Sequence, residues 1–179
     1  MSAALVIYET MYGNTRAIAE TIAEAISARM PTDVLEVGHA PNDFSDDIRL
    51  LIVGGPTHAF GMSRPSTRED AAKQAGRAVI SSRIGVREWL EVVTFPGGPP
   101  MGAAFDTHVE HPKLLRHVGS AAAKIERRLR ALGVDVVSSH EHFWVHGSEG
   151  PLVDGELERA RSWAKGMAVR AEQDTARTP

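Results

Sequence analysis

The 179-residue sequence contains no cysteine. This absence excludes disulfide bonds, thiolate metal sites, iron–sulfur ligation and a thiol nucleophile, so any redox chemistry requires a bound cofactor. The sequence also lacks an apolar run near the roughly 20 residues that a membrane-spanning helix needs, and it lacks a charged leader followed by an apolar stretch. We therefore expect a cytoplasmic protein without a membrane span.

Acidic residues are in small excess over basic ones, which gives a formal net charge of −3. This balance does not indicate nucleic-acid binding. The hydrophobic share of 42% is enough for one domain with a single substantial core. We expect that domain to span residues 1–172 and the polar residues 173–179 to form a disordered tail.

The stretch from Leu5 to Thr15 organises the chain. Residues 5–8 are an unbroken run of β-forming residues, which is typical of a strand buried on both faces of a parallel sheet. A loop with hydroxyl groups and Gly13 follows, and it leads into a helical pattern. Asn14 or Thr15 can cap this helix, whose first N–H groups lack intrahelical acceptors and carry the positive end of the dipole. The loop therefore favours an anion such as a terminal phosphate.

Strand and helix patterns alternate along the rest of the chain. Further strands are predicted at Val34–Val37, Leu50–Val53, Met101–Phe105 and Val134–Val137, with Phe143–Val145 as a continuation after a break. Helices are predicted at about Thr15–Met30, Ser66–Ala75, Val86–Val92, Lys113–Leu132 and Asp154–Ala171. The second helix starts at a capping-box spacing, with Glu69 three residues after Ser66.

This alternation predicts an α/β fold, a three-layer, doubly wound, five-stranded parallel sheet. Two strand orders compete, and in the order 2-1-3-4-5 the topological switch lies between strands 1 and 3. A ligand is expected beyond the carboxyl ends of those strands. Loops 9–15, 55–63 and 106–112 would line that crevice.

The first loop resembles a known phosphate loop. It has neither the lysine of a Walker A loop nor the three spaced glycines of the dinucleotide fingerprint. Residues 10–15, Thr-Met-Tyr-Gly-Asn-Thr, are similar to the flavodoxin pattern Thr-x-Thr-Gly-x-Thr that binds the phosphate of FMN, with Tyr12 at the third position. Residues 54–57 resemble the second flavin loop of that family, and residues 147–152 resemble its final segment.

The resemblance covers residues 4 to about 170 and implies the flavodoxin-like fold, FMN as the cofactor and one-electron transfer as the usual activity. Together the three loops give the following candidate cofactor-binding residues: Thr10, Met11, Tyr12, Gly13, Asn14, Thr15, Pro56, Thr57, His58, Ala59, Phe60, Gly61, Asp106, Thr107 and His108. No catalytic residue and no metal ligand is assigned.

The flavin ring itself needs apolar or aromatic faces. Phe60 is the best stacking candidate, with an ordinary core aromatic as the alternative. In the family the peptide corresponding to Phe60–Gly61 reorients toward reduced N5, and glycine permits this at low steric cost. Loop 106–112 has no aromatic carbocycle, so His108 or His111 would provide the second face or else lie on the surface. A protonated imidazole there would make the flavin potential depend on pH at about 6 to 7.

Two other groups of residues have alternative explanations. His140, His142 and His146 could ligate zinc if they shared a continuous strand, but the break at residues 138–141 disfavours this geometry. A basic helix face could dock an acidic partner or simply be solvated. It comprises Lys113, Arg116, Lys124, Arg127, Arg128 and Arg130.

Three functions are compatible with these features. The first is an FMN-bearing carrier that transfers electrons between redox partner proteins, although a near-neutral surface weakens electrostatic docking. The second is a flavin-dependent reductase that takes hydride from a nicotinamide and reduces a quinone or similar small acceptor, with segment 56–84 helping to cover it. The third is a flavodoxin-like interaction module without flavin, which Thr10, Gly13 and Thr15 disfavour.

Overall fold

The computed structural model describes residues 3–44, 47–58, 61–110 and 119–175. Within these ranges the elements are, in chain order, β1 (Ala4–Tyr8), α1 (Asn14–Ser27), β2 (Thr32–Glu36), β3 (Leu50–Pro56), α2 (Pro65–Ala75), α3 (Val86–Val92), β4 (Met101–Val109), α4 (Ala121–Ala131), β5 (Asp135–Val136), β6 (Glu141–Val145) and α5 (Glu156–Thr175). None of the helices in these ranges is both long and apolar enough to cross a membrane.

The strands form one parallel sheet in the order β2-β1-β3-β4-β5, and β6 also pairs with β4. β5 lies beside the start of β4 and β6 beside its end, at residues 101–102 and 105–109 respectively. The two short strands are therefore the two halves of one interrupted edge strand. The predicted α/β fold, with strand order 2-1-3-4-5 and a break in the fifth strand, is confirmed.

Helices cover both faces of the sheet. On one face α1 and α5 pack over the sheet, where Ile22 and Ala164 belong to the same buried cluster as Val6. On the other face Trp89 of α3 and Ile125 of α4 pack with Ile7. Because neighbouring residues of a strand point to opposite faces, β1 must be apolar along its whole length to fill both layers.

Several boundaries differ from the sequence prediction: α1 ends at Ser27 and not near Met30, β2 spans Thr32–Glu36 and not Val34–Val37, and the following differences are larger. β4 extends through Val109, so residues 106–108 lie in a strand and not in the predicted polar loop. α2 begins at Pro65. At its N-terminal end Thr67 Oγ1 accepts a hydrogen bond from Arg64 N at 2.9 Å. The predicted capping box at residues 66–69 is wrong. The prediction of one continuous helix over Lys113–Leu132 is wrong, because residues 119–120 are not helical and α4 begins at Ala121; residues 113–118 lie outside the described residues. α5 continues to Thr175.

These differences share a physical cause. β4 keeps its extended conformation past Phe105 because residues 105–109 pair with 141–145 of β6, which the local sequence does not reveal. Ser120 has an extended backbone, and its Oγ accepts from Ala123 N at 3.0 Å, which fixes the start of α4. Long-range pairing and side-chain caps thus override local propensity.

Candidate cofactor site at the carboxyl edge of the sheet

The turn between β1 and α1 depends on Gly13. This residue has φ +102°, a left-handed conformation that favours glycine over any residue with a Cβ. Its N–H donates to Thr10 Oγ1 at 3.1 Å, which closes the turn. Thr10 and Thr15 are almost fully buried at 0% and 1% exposure, so the turn presents its hydroxyl groups inward.

The N-terminus of α1 has no side-chain cap. The predicted cap by Asn14 or Thr15 is wrong, because both side chains bond elsewhere. Asn14 Nδ2 donates to Glu149 O at 2.9 Å, and the Thr15 hydroxyl lies 2.7 Å from the Thr107 hydroxyl. The first N–H groups of an α-helix have no intrahelical acceptor and carry partial positive charge. α1 therefore leaves donors at this end that suit an anion.

A cavity of about 320 Å³ lies at this edge of the sheet. Of the residues predicted from sequence, it is lined by Thr10, Met11, Tyr12, Asn14, Thr15, Pro56, Thr57, His58 and Thr107. The rest of the lining was not among the named candidates, although Val109 lies in segment 106–112, which was expected to line the crevice. These residues come from α2, from the ends of β4 and β6 and from the turn after β6: Thr67, Asp70, Ala71, Gln74, Val109, Val145 and Ser148. The loops after β1 and β3 thus meet as expected, and α2 adds a further wall.

Four other predicted residues, all within the described part of the chain, do not line this cavity: Gly13, Gly61, Asp106 and His108. Gly13 shapes the turn, and Gly61 pairs with His58. Asp106 and His108 are buried on β4. Ala59, Phe60 and His111 lie outside the described residues, so the stacking role predicted for Phe60 stays a prediction.

Tyr12, where the loop departs from the threonine of the flavodoxin pattern, contacts α2. Its hydroxyl donates to Ala71 O at 2.9 Å. The Arg77 guanidinium lies over its ring, 5.6 Å from the centroid, and pairs with Glu149 at 3.3 Å. Tyr12 therefore connects α2 to the loop between β1 and α1. The helical spacing of the lining residues 67, 70, 71 and 74 was the available sequence signal for this wall.

The chain after α2 supports the same loop from behind. Thr10 N donates to Ser81 Oγ at 3.0 Å, and Ser81 N donates to Thr10 O at 2.9 Å. Ser81 Oγ in turn donates to Glu36 Oε1 at 2.6 Å. These bonds link the loop to the end of β2, so its backbone is held from two sides. Local sequence patterns do not show such pairings.

His58 and Gly61, in the segment after β3, pair as an antiparallel bridge. His58 N donates to Gly61 O at 2.8 Å, and Gly61 N donates to His58 O at 2.9 Å. Reorientation of the peptide before Gly61 would break the second bond. Burial lowers the pKa of His58, and the nearby charge of Arg68 lowers it further. His58 is therefore neutral at pH 7, so it can offer hydrogen bonds to a ligand without adding charge.

A buried acidic side chain lies behind the cavity wall. Asp106 is fully buried, and its Oδ1 is 2.8 Å from His142 Nδ1. Its Oδ2 accepts from Thr57 Oγ1 at 2.8 Å and from Ala122 N at 3.0 Å. Thr57 Oγ1 also accepts from Ala121 N at 2.8 Å. The hydrogen bond to Asp106 raises the pKa of His142 despite partial burial.

The three histidines considered for zinc bind separate carboxylates. His140 pairs with Glu126 at 2.6 Å and His142 with Asp106, while His146 Nδ1 lies 3.3 Å from Glu110. No cluster of three or more histidine, aspartate or glutamate side chains that could hold a metal ion occurs in the described part of the chain.

A second buried carboxylate lies at the end of β1. Glu9 is 1% exposed, and its Oε2 accepts from Val86 N, the first residue of α3, at 2.8 Å. Arg68, also buried, bonds Ser63 Oγ at 2.9 Å and Glu88 at 3.1 Å. Burial raises the pKa of Glu9 more strongly than the nearby donors and Arg68 lower it.

Comparison with known proteins supports this fold, and one family model matches part of the first half of the chain. The flavodoxin family model matches residues 6–86. A flavodoxin from the domain Archaea is similar at 18% identity and a TM-score of 0.60, covering 94% of this chain and 98% of that one. Flavodoxin 2 from Bacillus cereus is similar at 19% identity and 0.61, covering 93% and 98%. The flavodoxin of Streptococcus pneumonia TIGR4 is similar at 17% identity and 0.61, with the same coverage. No curated protein matches the chain.

Proposed function

We propose that this chain, which has a flavodoxin-like fold, binds FMN and transfers electrons between redox partners. The observation that carries the proposal is the uncapped N-terminus of α1, which meets buried threonine hydroxyls in a cavity beyond β1 and β3. This is the switch point of the sheet, where ligands of open α/β folds bind.

The phosphate of FMN would be held mainly by neutral donors. Thr10 and Thr15 offer hydroxyl groups, and the first turn of α1 offers backbone N–H groups at the positive end of its dipole. Arg16 is not positioned for this role, because it pairs with Glu20 at 2.7 Å and is 54% exposed. The residues present therefore fit a phosphate monoester without a lysine.

The ring of FMN would lie against the remaining lining. Pro56, Val109 and Val145 offer apolar contacts, and His58 offers a neutral imidazole. Bound FMN supplies reversible acceptance of electrons, which no side chain of this cysteine-free protein can provide. The protein's own part is to bind the phosphate, to exclude water from the buried side of the cavity and to set the charge around it.

Reconstitution tests this proposal. Purified protein is stripped of small molecules and titrated with FMN, with riboflavin as a ligand that lacks the phosphate. We expect FMN to bind with quenching of its fluorescence and riboflavin to bind much more weakly. A protein that binds neither would be the interaction module without flavin, and equal binding of the two would contradict the phosphate site at α1.

The wall formed by α2 favours a second candidate function. Thr67, Asp70 and Gln74 bring polar groups to the cavity rim, where they could contact a small acceptor of a flavin-dependent reductase. Anaerobic mixing of the FMN-loaded protein with NADH or NADPH decides between the two. Rapid bleaching of the flavin, reversed by a quinone, would favour the reductase, and a stable flavin spectrum would favour the carrier.

A further inference from the structure

The Asp106 carboxylate joins Thr57, which lines the cavity, to the titratable side chain of His142. It is fully buried, and its two oxygens accept hydrogen bonds from His142, Thr57 and the first turn of α4. β4 and β6 fix this geometry, because Asp106 and His142 are directly paired neighbours in the sheet.

Thr57 links this pair to the cavity. Its hydroxyl donates to Asp106 Oδ2 and accepts from Ala121 N. A hydroxyl has one hydrogen and two lone pairs, so only one lone pair remains for a ligand. While Asp106 is ionised, Thr57 therefore offers the cavity an acceptor and no donor. The charges of Asp106 and His142 therefore influence the strength of the hydrogen bond from Thr57 to Asp106.

His142 is accessible enough to exchange protons with water. It is 28% exposed, whereas its partner Asp106 is closed to solvent. Arg159 donates to the His142 backbone oxygen, and Glu126 binds the neighbouring His140. The charged and titratable groups around the imidazole are Asp106 and His108 on β4, Glu141 on β6, His140 before β6, and Arg159 on α5.

His58, which lines the cavity, is poorly suited to take up a proton. Burial and the charge of Arg68 lower its pKa. The pKa of His142 is instead raised through its bond to Asp106. Negative charge added within the cavity acts through protein of low effective dielectric, so it favours protonation of a nearby histidine that is linked to the cavity wall.

We propose that Asp106 and His142 are positioning residues of the flavin site, and that His142 takes up one proton from water when negative charge is added to the flavin. This inference rests on the proposed function. The proton binds Nε2 of an imidazole whose Nδ1–H already donates to Asp106, so one N–H bond forms and no bond of the protein breaks. The electrons that reduce the flavin come from the reduced redox partner. The hydrogen bonds of Asp106 to His142 and to Thr57 link the protonated imidazole to the cavity wall.

The first test uses NMR titration of the histidine side chains. In flavin-free protein we expect the pKa of His142 to lie above the ordinary value of a histidine, and Asp106→Asn to move its titration downward. In FMN-loaded protein we expect the His142 titration to move upward when dithionite reduces the flavin. An unchanged His142 titration on reduction overturns the inference, and this reading needs no variant.

The second test measures the flavin potential between pH 5 and 9. His142→Asn keeps an N–H donor near Asp106 Oδ1 but cannot take up a proton. We expect the wild-type slope of potential against pH to change across the His142 titration, and His142→Asn to lose that change. His140→Asn is the matched control, because this histidine also binds a carboxylate, Glu126, and lies beside His142. It should keep the wild-type profile.

The outcomes separate the two proposals. Absence of FMN binding in the wild-type protein overturns both the proposed function and this inference. Normal FMN binding with identical pH profiles in the wild type and His142→Asn overturns the inference and leaves the proposed function standing. A changed profile in His142→Asn alone supports the inference, because a purely structural contact would alter binding or stability without removing the pH dependence.

Discussion

Replacement of Glu9 by glutamine tests how a buried carboxylate affects folding. Glu9 is 1% exposed at the end of β1, one oxygen accepts from Val86 N, and no hydrogen bond reaches Oε1 within the described residues. Burial raises its pKa above the ordinary glutamate value. Glu9 therefore favours the folded state most when it is protonated, and ionisation inside the protein is costly.

The sign of the pH dependence follows from this shift. The stabilisation is fully present below the pKa of Glu9 in the unfolded chain, and it is lost as the pH rises through the higher pKa of the folded state. Each unit by which the pKa is raised removes about 1.4 kcal/mol of stability above both values. Glu9→Gln keeps the shape and the acceptor for Val86 N but cannot ionise, so we expect it to be more stable than the wild type at pH 8.

The assay is urea unfolding at several pH values from 4 to 8. The difference in unfolding free energy between Glu9→Gln and the wild type should grow with pH. Glu20→Gln is a suitable control, because Glu20 forms only an exposed pair with Arg16, which contributes little. If Glu9→Gln and the wild type lose stability in parallel as the pH rises, Glu9 is not held protonated and the reasoning fails.

Three further substitutions test the cavity. Thr15→Ala should weaken FMN binding by roughly 0.5–3 kcal/mol, because a hydrogen bond to a charged phosphate is lost. Thr15→Ser should retain that bond. Equal FMN affinities of Thr15→Ala and the wild type in a fluorescence titration would exclude the Thr15 hydroxyl from phosphate binding. Tyr12→Phe removes the bond to Ala71 O and should lower the unfolding free energy by about 0.5–1.5 kcal/mol, a loss that denaturant titration would detect. Gly13→Ala places a Cβ at φ +102° and should cost about 1–2 kcal/mol; a melting temperature equal to that of the wild type would show that the turn relaxes freely.

The parts of this fold that the sequence predicted are those encoded locally. Residues 5–8 and 50–53 are continuous apolar runs, and both are buried strands of a parallel sheet. α3 spans Val86–Val92, as predicted from its apolar spacing. The βα alternation left two strand orders open, and the resemblance to flavodoxins favoured the order 2-1-3-4-5. The loops after β1 and β3 then had to meet at one edge.

The parts that the sequence did not predict depend on distant partners. Asp106 was expected in a loop facing the cofactor, because a polar run after an apolar strand usually marks the end of that strand. It instead extends β4, since His142, Thr57 and the N-terminus of α4 satisfy its carboxylate. The polar wall of α2 was missed for a related reason, because it reaches the cavity only through contacts such as Tyr12 with Ala71.

Helix N-termini at the carboxyl edge of the sheet explain why we place the proposed binding site at α1. In a parallel α/β sheet these positive helix ends gather at one edge, and each needs an acceptor. The chain supplies side-chain carboxyl groups as acceptors to two of them: Glu9 accepts from Val86 N of α3, and Asp106 accepts from Ala122 N of α4. α1 receives no side-chain cap, although Thr10 and Thr15 place hydroxyl groups beside it. Since the described residues provide carboxyl acceptors for α3 and α4 and no side-chain cap for α1, that end is the one suited to an anion brought by a ligand.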